Sequence, residues 1–324
     1  MTSSLQANFF SFSWELPLME WLQTHVPAGI IGAMSHFSLL GDERPLVLLL
    51  GLIFWCFHKE LGKRVGKTVL VGLIAGCQIK NVVLRARPYL TSDRIKMLRP
   101  VDSKADLKDV AAQGYSFPSS HSTTSVAAYW TIGQAVSHKA AKVVLMVIPI
   151  LVGISRIFVG AHFPTDVLVG WLLGMVSVWF LPWLEEKLSP NVLRVVLLLI
   201  ALPGLFYCRT NDYFTTFGLY VGFFFLVIPF EEKFVKFRET HAPVRVVVRT
   251  VVGAVIFLLA ASLLKLPFSA EFLEGGSRPA LLYRSFRYMV ALFVAFGLYP
   301  MVFRFTDSWP LWTLFTSKNG AHAE

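Results

Sequence analysis

The sequence predicts an all-α polytopic membrane helical bundle of about nine transmembrane helices, on three observations. Of 324 residues, 55% are hydrophobic and only 15% are charged, against roughly 25% charged in soluble domains. Apolar runs long enough to cross, or nearly cross, a bilayer recur between residues 45 and 305. The Lys and Arg residues behind the net charge of +10 gather in short clusters between those runs, as they do in cytoplasmic loops. No basic face interleaved with aromatics runs along any segment, which excludes nucleic acid as a partner. Cys56, Cys77 and Cys208 are odd in number and the first two fall in apolar runs, so no disulfide framework is expected. The chain opens without a basic n-region or a small-residue cleavage site, and we expect no removable signal peptide.

Taken in order, residues 1–44 form an extracytoplasmic interfacial segment. They mix Phe9, Phe10, Phe12, Trp14 and Trp21 with Glu15 and Glu20, and hold no Lys or Arg through residue 42. Pro45 to Phe57 is the first span, short and starting before Pro45. The basic run His58, Lys59, Lys63, Arg64 and Lys67 that follows predicts its cytoplasmic end. Residues 68–84 return outward with Lys80 near the far end. Residues 88–117, with Pro88, Pro100, Gly114 and alternating charges that include Lys104, predict an extramembrane loop covering a site. Spans three to five are residues 121–136, 141–159 and 164–184, with Pro164 tolerated in a first helical turn. Residues 45–187 thus make a five-span catalytic core. Residues 188–324 make a four-span extension with runs at 192–207, 214–229, 246–264 and 288–305. This order places the amino terminus outside and the basic 231–249 linker inside. It leaves four basic residues in an external 265–287 loop, against the positive-inside rule.

Four polar clusters interrupt the apolar core, and the predicted topology puts all of them on the outer face. Lys80 and Arg87 stand seven residues apart, two helical turns, so a helix projects them from one face. A snorkelling lysine and an interfacial arginine are the ordinary reading of a lone pair. A bound phosphate also needs a point charge and a bidentate fork. Arg85, on another face, reads as an anchor. Pro118, Ser119, Ser120 and His121 precede an apolar helix, whose first N–H groups suit either a plain cap or an anion. Ser155 and Arg156 end the fourth span and His162 opens the fifth. Asp166, one turn on, is in reach of the His162 ring and would fix its tautomer. Ionisable groups at membrane depth are functional candidates, although a His–Asp pair alone fits a structural hydrogen bond equally well.

Together these clusters resemble the signatures of the type 2 phosphatidic acid phosphatase superfamily, K-x6-RP, P-S-G-H and S-R-x5-H-x3-D. Lys80 to Pro88 and Ser155 to Asp166 match in full; Ser120 stands where the second signature has glycine. The resemblance covers residues 45–185, and the nine-span layout is similar to that of sphingosine-1-phosphate phosphatases and glucose-6-phosphatases. It implies a membrane phosphatase acting on a lipid phosphate or diphosphate. His162 would be the nucleophile of a phosphohistidine intermediate, oriented by Asp166, and His121 the general acid and base. Lys80, Arg87, Arg156, Ser119 and Ser120 would hold the phosphoryl oxygens. No metal and no cofactor are expected, and the expected partners are the lipid phosphate and membrane lipids. Sugar phosphates, phosphoryl transfer to a lipid acceptor, a haloperoxidase-type anion site and a non-catalytic transporter or scaffold remain alternatives; the first two share every signature.

Overall fold

The computed structural model describes residues 11–103 and 105–306. Phe9, Phe10, Lys104 and the chain beyond Thr306 lie outside the described residues. Those described form helices and loops, with no strand among them. Helices α1 (Glu15–His25) and α2 (Ala28–Phe37) are divided at Pro27, and a 3-10 turn, Ser38–Gly41, leads to α3 (Glu43–Leu52). A π-helical stretch, Ile53–Phe57, continues α3. The His58 ring then accepts the Leu61 amide at 3.2 Å and starts α4 (Lys59–Val83).

The long 84–119 loop separates α4 from α5 (Ser120–Ala135), which begins at the Ser119 cap. His138 caps α6 (Lys139–Phe158), and Pro164 occupies the first turn of α7 (Pro164–Lys187), where its missing N–H costs nothing. Helix α8 (Pro190–Ala201) follows, then α9 (Asn211–Val221), which runs through a π-helical Gly222–Val227 stretch into Ile228–Phe234. Helices α10 (Pro243–Leu263) and α11 (Arg278–Leu292) complete the bundle.

Helix α5 is the hub of the first half, packed against α4, α6 and α7, and α9 joins the second half to α4 while pairing with α11. The α5–α7 crossing is close because α7 presents glycine there. A Cβ at Gly170 would sit 2.6 Å from the Ser119 carbonyl oxygen, and one at Gly174 2.7 Å from that of Thr123. Small residues allow this approach between membrane helices, where packing rather than water exclusion drives association. The outer faces are apolar: Val143 and Val147 on α6, Leu172 and Trp179 on α7, and Val251 and Leu258 on α10 are exposed. A lipid solvent explains that pattern.

Among the described residues, seven helices are long and apolar enough to cross a membrane, so about seven spans replace the expected nine. The two others fail on length. Pro45–Phe57 is one of the shorter apolar helices. Helix α5 has 16 residues, which at about 1.5 Å per residue fall short of an apolar layer about 30 Å thick. Two loop assignments also change. Lys59, Lys63, Arg64 and Lys67 lie inside α4, where Lys63 meets Glu231 at 3.0 Å and Lys67 pairs with Glu185. The apolar run at 288–305 starts earlier as α11, which takes in Arg278, Arg284 and Arg287 and leaves only Lys265 of the four basic residues in the preceding connection.

Candidate active site

The cationic end of α4 is built by a helix stop. Leu84 adopts φ 54° as the left-handed cap, the chain extends, and Arg87 emerges as the residue before a single turn, Pro88–Thr91. Lys80 and Arg87 therefore do not share a helical face as their spacing predicts. The loop brings them together, through three consecutive carbonyls at residues 113–115. Both are buried, and both are held by carbonyls of the long loop. Lys80 Nζ donates to Tyr115 O at 2.8 Å, while Arg87 donates from Nε to Gly114 O at 3.0 Å and from Nη2 to Gln113 O at 2.6 Å.

The third motif approaches from the α6–α7 link. Gly160, at φ 74°, lets this link turn under the loop, where a Cβ would lie 2.5 Å from the Lys96 carbonyl oxygen. Arg87 Nη1 reaches across to Ala161 O at 3.0 Å and stands 3.4 Å from His162 Nε2. His162 Nδ1 is 2.8 Å from the Ser116 carbonyl oxygen, an acceptor only, so Nδ1 carries the proton and the Nε2 lone pair faces the guanidinium. Burial first, then the charges of Arg87 and Lys80, push the imidazole well below its usual range and keep it neutral. Asp166, expected to bind that ring directly, lies 3.6 Å from Nδ1. Its Oδ2 instead accepts the Ser116 hydroxyl and, at 2.8 Å, the Phe163 amide. Asp166 thus holds the residue whose carbonyl holds the histidine.

The second motif faces this pair. Ser119 is the α5 cap, its hydroxyl accepting from Ser122 N at 3.4 Å, and its amide donates to the Asp166 carbonyl at 2.9 Å. Ser120 and His121 occupy the first turn, and Arg156 is buried beside them with an Nε that finds no acceptor among the described residues. All the residues singled out in the sequence, Lys80, Arg87, Ser119, Ser120, His121, Arg156, His162 and Asp166, converge on one end of the bundle.

Four further side chains were not legible in the motifs. Arg85, expected as an interfacial anchor, is 1% exposed and forks between two carboxylates: Nη1 to Asp166 Oδ1 at 2.6 Å and Nη2 to Glu15 Oε2 at 2.5 Å. Its guanidinium stacks over Phe163 at 3.9 Å. Glu15, from α1, also accepts from Thr165 N at 3.1 Å. Ser38 accepts from Arg156 Nη1, and Asp42 Oδ1 lies 2.7 Å from His121 Nε2. The interfacial segment of the sequence reading therefore sends three side chains, Glu15, Ser38 and Asp42, into the site.

Comparison with known proteins agrees with the motifs. Residues 64–190 match the PAP2 superfamily, and residues 214–308 match the PAP2 superfamily phosphatase transmembrane extension. Phosphatidylglycerophosphatase B of Bacillus subtilis (strain 168) is 36% identical over 170 residues, 49% of this chain and 76% of that protein. The chain belongs to the PAP2 superfamily. Two other relatives are similar over a comparable stretch. An undecaprenyl-diphosphatase of Sulfolobus acidocaldarius is 28% identical over 171 residues, 51% of this chain and 75% of that one. A decaprenylphosphoryl-5-phosphoribose phosphatase of Mycobacterium tuberculosis is 36% identical over 141 residues, 44% of this chain and 71% of that one.

The protein is accordingly a PAP2-family phosphatase and a multi-pass integral membrane protein. Glu15, Ser38 and Asp42 precede the matched residues, so the PAP2 match alone does not reach them. A cavity of about 220 Å³ lies elsewhere, toward the end of α7 remote from Asp166. Its cations Lys67 and Arg194 are paired with Glu185 and Glu232.

Proposed function

We propose that this PAP2 phosphatase hydrolyses a lipid phosphate or diphosphate through a phosphohistidine on His162, without a metal ion. The observation that carries the reading is the His162 ring. With Nδ1 committed to the Ser116 carbonyl at 2.8 Å, Nε2 is left as an unprotonated nucleophile 3.4 Å from Arg87. In the first step the Nε2 lone pair forms the N–P bond while the bond from phosphorus to the lipid oxygen breaks, and that oxygen takes a proton from His121. In the second, His121 takes a proton from water, whose oxygen replaces the histidine nitrogen on phosphorus and releases inorganic phosphate. Lys80, Arg87 and Arg156, with the N–H groups at the start of α5, stabilise the charge that grows on the phosphoryl oxygens.

Depth favours a lipid. Lys80 lies in the last turn of α4, His121 in the first turn of α5, and His162 in the link before α7. A phosphate bound among helix ends sits at headgroup depth, where a lipid brings it by lateral diffusion with its chains still in the bilayer. The relatives named for phosphatidylglycerophosphate and polyprenyl substrates point the same way. In mixed micelles containing EDTA we expect kcat/KM for a long-chain lipid phosphate to exceed that for glucose 6-phosphate by at least about 100-fold. A preference for the sugar overturns the substrate class, and activity that returns only with added magnesium overturns the metal-free mechanism.

We also propose that the site faces away from the cytoplasm. Lys59, Lys63, Arg64 and Lys67 lie at the other end of α4; of the basic residues expected in a 231–249 linker, Lys236 and Arg238 lie in the connection itself, while Lys233 lies in the last turn of the helix before it and Arg245 and Arg249 lie in the first two turns of α10. With most of its expected basic residues inside α11, the 264–277 connection no longer opposes that orientation. Single cysteines at Ser103 and Lys236, both exposed, should then react with an impermeant maleimide from opposite sides. Cytoplasmic labelling at Ser103 would reverse the assignment.

A further inference from the structure

Three arms of the N-terminal segment enter the site, and the one at His121 bears on catalysis most directly. The 3-10 turn before α3 is pinned to the α5–α6 pair. Tyr129 Oη donates to the Leu40 carbonyl at 3.0 Å, Arg156 bonds Ser38, and a Cβ at Gly41 would meet Val152 Cγ1 at 2.6 Å and His121 Cβ at 3.3 Å. This seating delivers Asp42 with one carboxylate oxygen 2.7 Å from His121 Nε2 and the other 3.1 Å from Arg99 Nη2. The pair is partly buried, with 18% of the His121 and 27% of the Asp42 side chain exposed.

We propose that Asp42 is the positioning residue of His121: it accepts the Nε2 proton, and so assigns to Nδ1 the exchange of a proton with the leaving alcohol and with water. The inference rests on His121 being the acid and base of the proposed reaction.

The chemistry follows from the ring. An imidazole whose Nε2–H is held by a carboxylate keeps its lone pair on Nδ1, and when protonated gives that proton up from Nδ1. Burial first, then the charges of Arg156 and Arg87, push the His121 imidazole down to about 4; His162 shares the same space, and the Asp42 carboxylate acts in the opposite direction. Asp42 is itself ionised. Burial alone would raise its pKa, but the His121 bond and the charges of His121, Arg99 and Arg156 outweigh this and hold the carboxyl below its ordinary value. A fixed anion therefore stabilises the protonated ring in a site otherwise crowded with cations. Arg99, from the long loop, keeps that anion in place from its other side.

The test is Asp42→Asn in the full-length protein, which keeps the shape and removes the charge. With a lipid phosphate, whose alkoxide leaves poorly, we expect kcat to fall by about 10- to 100-fold, part of the general-acid contribution. The alkaline limb of its pH profile should move to lower pH, because an imidazolium without its carboxylate loses its proton earlier. With nitrophenyl phosphate, whose leaving group needs no proton, release of nitrophenol in the first turnover should fall by less than about threefold. Asp42→Glu should restore the alkaline limb.

A second measurement separates this role from a structural one. In a His121→Ala background, Asp42→Asn should cost nothing more, since Asp42 acts only through the missing ring. Equal losses in both backgrounds, or an Asp42→Asn profile unmoved on lipid phosphate, would overturn the inference. If His121→Ala itself fails to distinguish the two substrates, the underlying mechanism fails with it. If His121→Ala distinguishes them and Asp42→Asn does not, only the role of Asp42 is lost.

Discussion

His162→Ala is expected to lower turnover by about 10⁴-fold or more on every phosphate ester, because it removes the atom proposed to accept the phosphoryl group. His121→Ala should behave differently. A general acid contributes about 10²–10⁴-fold when the leaving group is an alkoxide, and far less when it is a nitrophenolate. The His121→Ala protein should therefore release close to one equivalent of nitrophenol in a burst and then stall, since water attack on the phosphohistidine still lacks its base. The stalled species should carry acid-labile phosphate. The two histidines start from different environments. His162 is buried, with Nδ1 on a carbonyl and Nε2 beside a guanidinium; His121 is partly exposed and bonded to a carboxylate. Burial and the neighbouring cations press both rings toward the neutral form, and at His121 the Asp42 carboxylate works against them, which sets the proposed acid apart from the proposed nucleophile. Equal loss in both variants on nitrophenyl phosphate, with no burst, counts against the division of labour.

Much of this site could be read from the chain because charge is scarce in it. Lys80, Arg87, Arg156 and Asp166 each stand out against apolar neighbours, and the motif spacing ties them to His121 and His162. What could not be read falls into three kinds. Ser116 acts on His162 through its carbonyl, and a backbone group has no residue type to betray it. Glu15 and Asp42 lie far from the motifs in sequence, in a stretch whose aromatics suggest an interface. Their only signal was negative: acidic residues in a segment with no Lys or Arg through residue 42 need counterions from elsewhere. Arg85 was misread for a geometric reason. Helical periodicity assigns it a face of α4, but the helix stops at Val83 with Leu84 as its left-handed cap, so the direction of Arg85 is set by the non-helical stretch that follows. The same limit explains the span count. Hydropathy counts apolar runs, whereas α5 begins at the site and is too short to cross alone.

Arg85→Met is expected to cost the most stability of any single change at this end of the bundle. Glu15, Asp166 and Arg85 are all essentially without solvent exposure. Two carboxylates share one guanidinium, so its removal leaves two buried anions facing each other. Breaking a buried pair typically costs about 3–5 kcal/mol, and here two pairs break together. A fall in Tm of about 10 °C or more in detergent is the expected size. Turnover should fall with it, because Asp166, once released from Arg85, no longer fixes the Ser116 hydroxyl and the Phe163 amide that flank His162. Arg85→Lys should recover little. A lysine provides a point charge where the structure uses a planar fork, with Nη1 on Asp166, Nη2 on Glu15 and the guanidinium face over Phe163. Neutralising one anion at the same time should help: Arg85→Met with Glu15→Gln is expected to regain part of the lost Tm, since it removes an uncompensated charge, while turnover stays low. A double variant less stable than Arg85→Met alone would show that Glu15 is held by something other than Arg85. An Arg85→Met protein with unchanged Tm and turnover would remove this network from the support of His162 altogether.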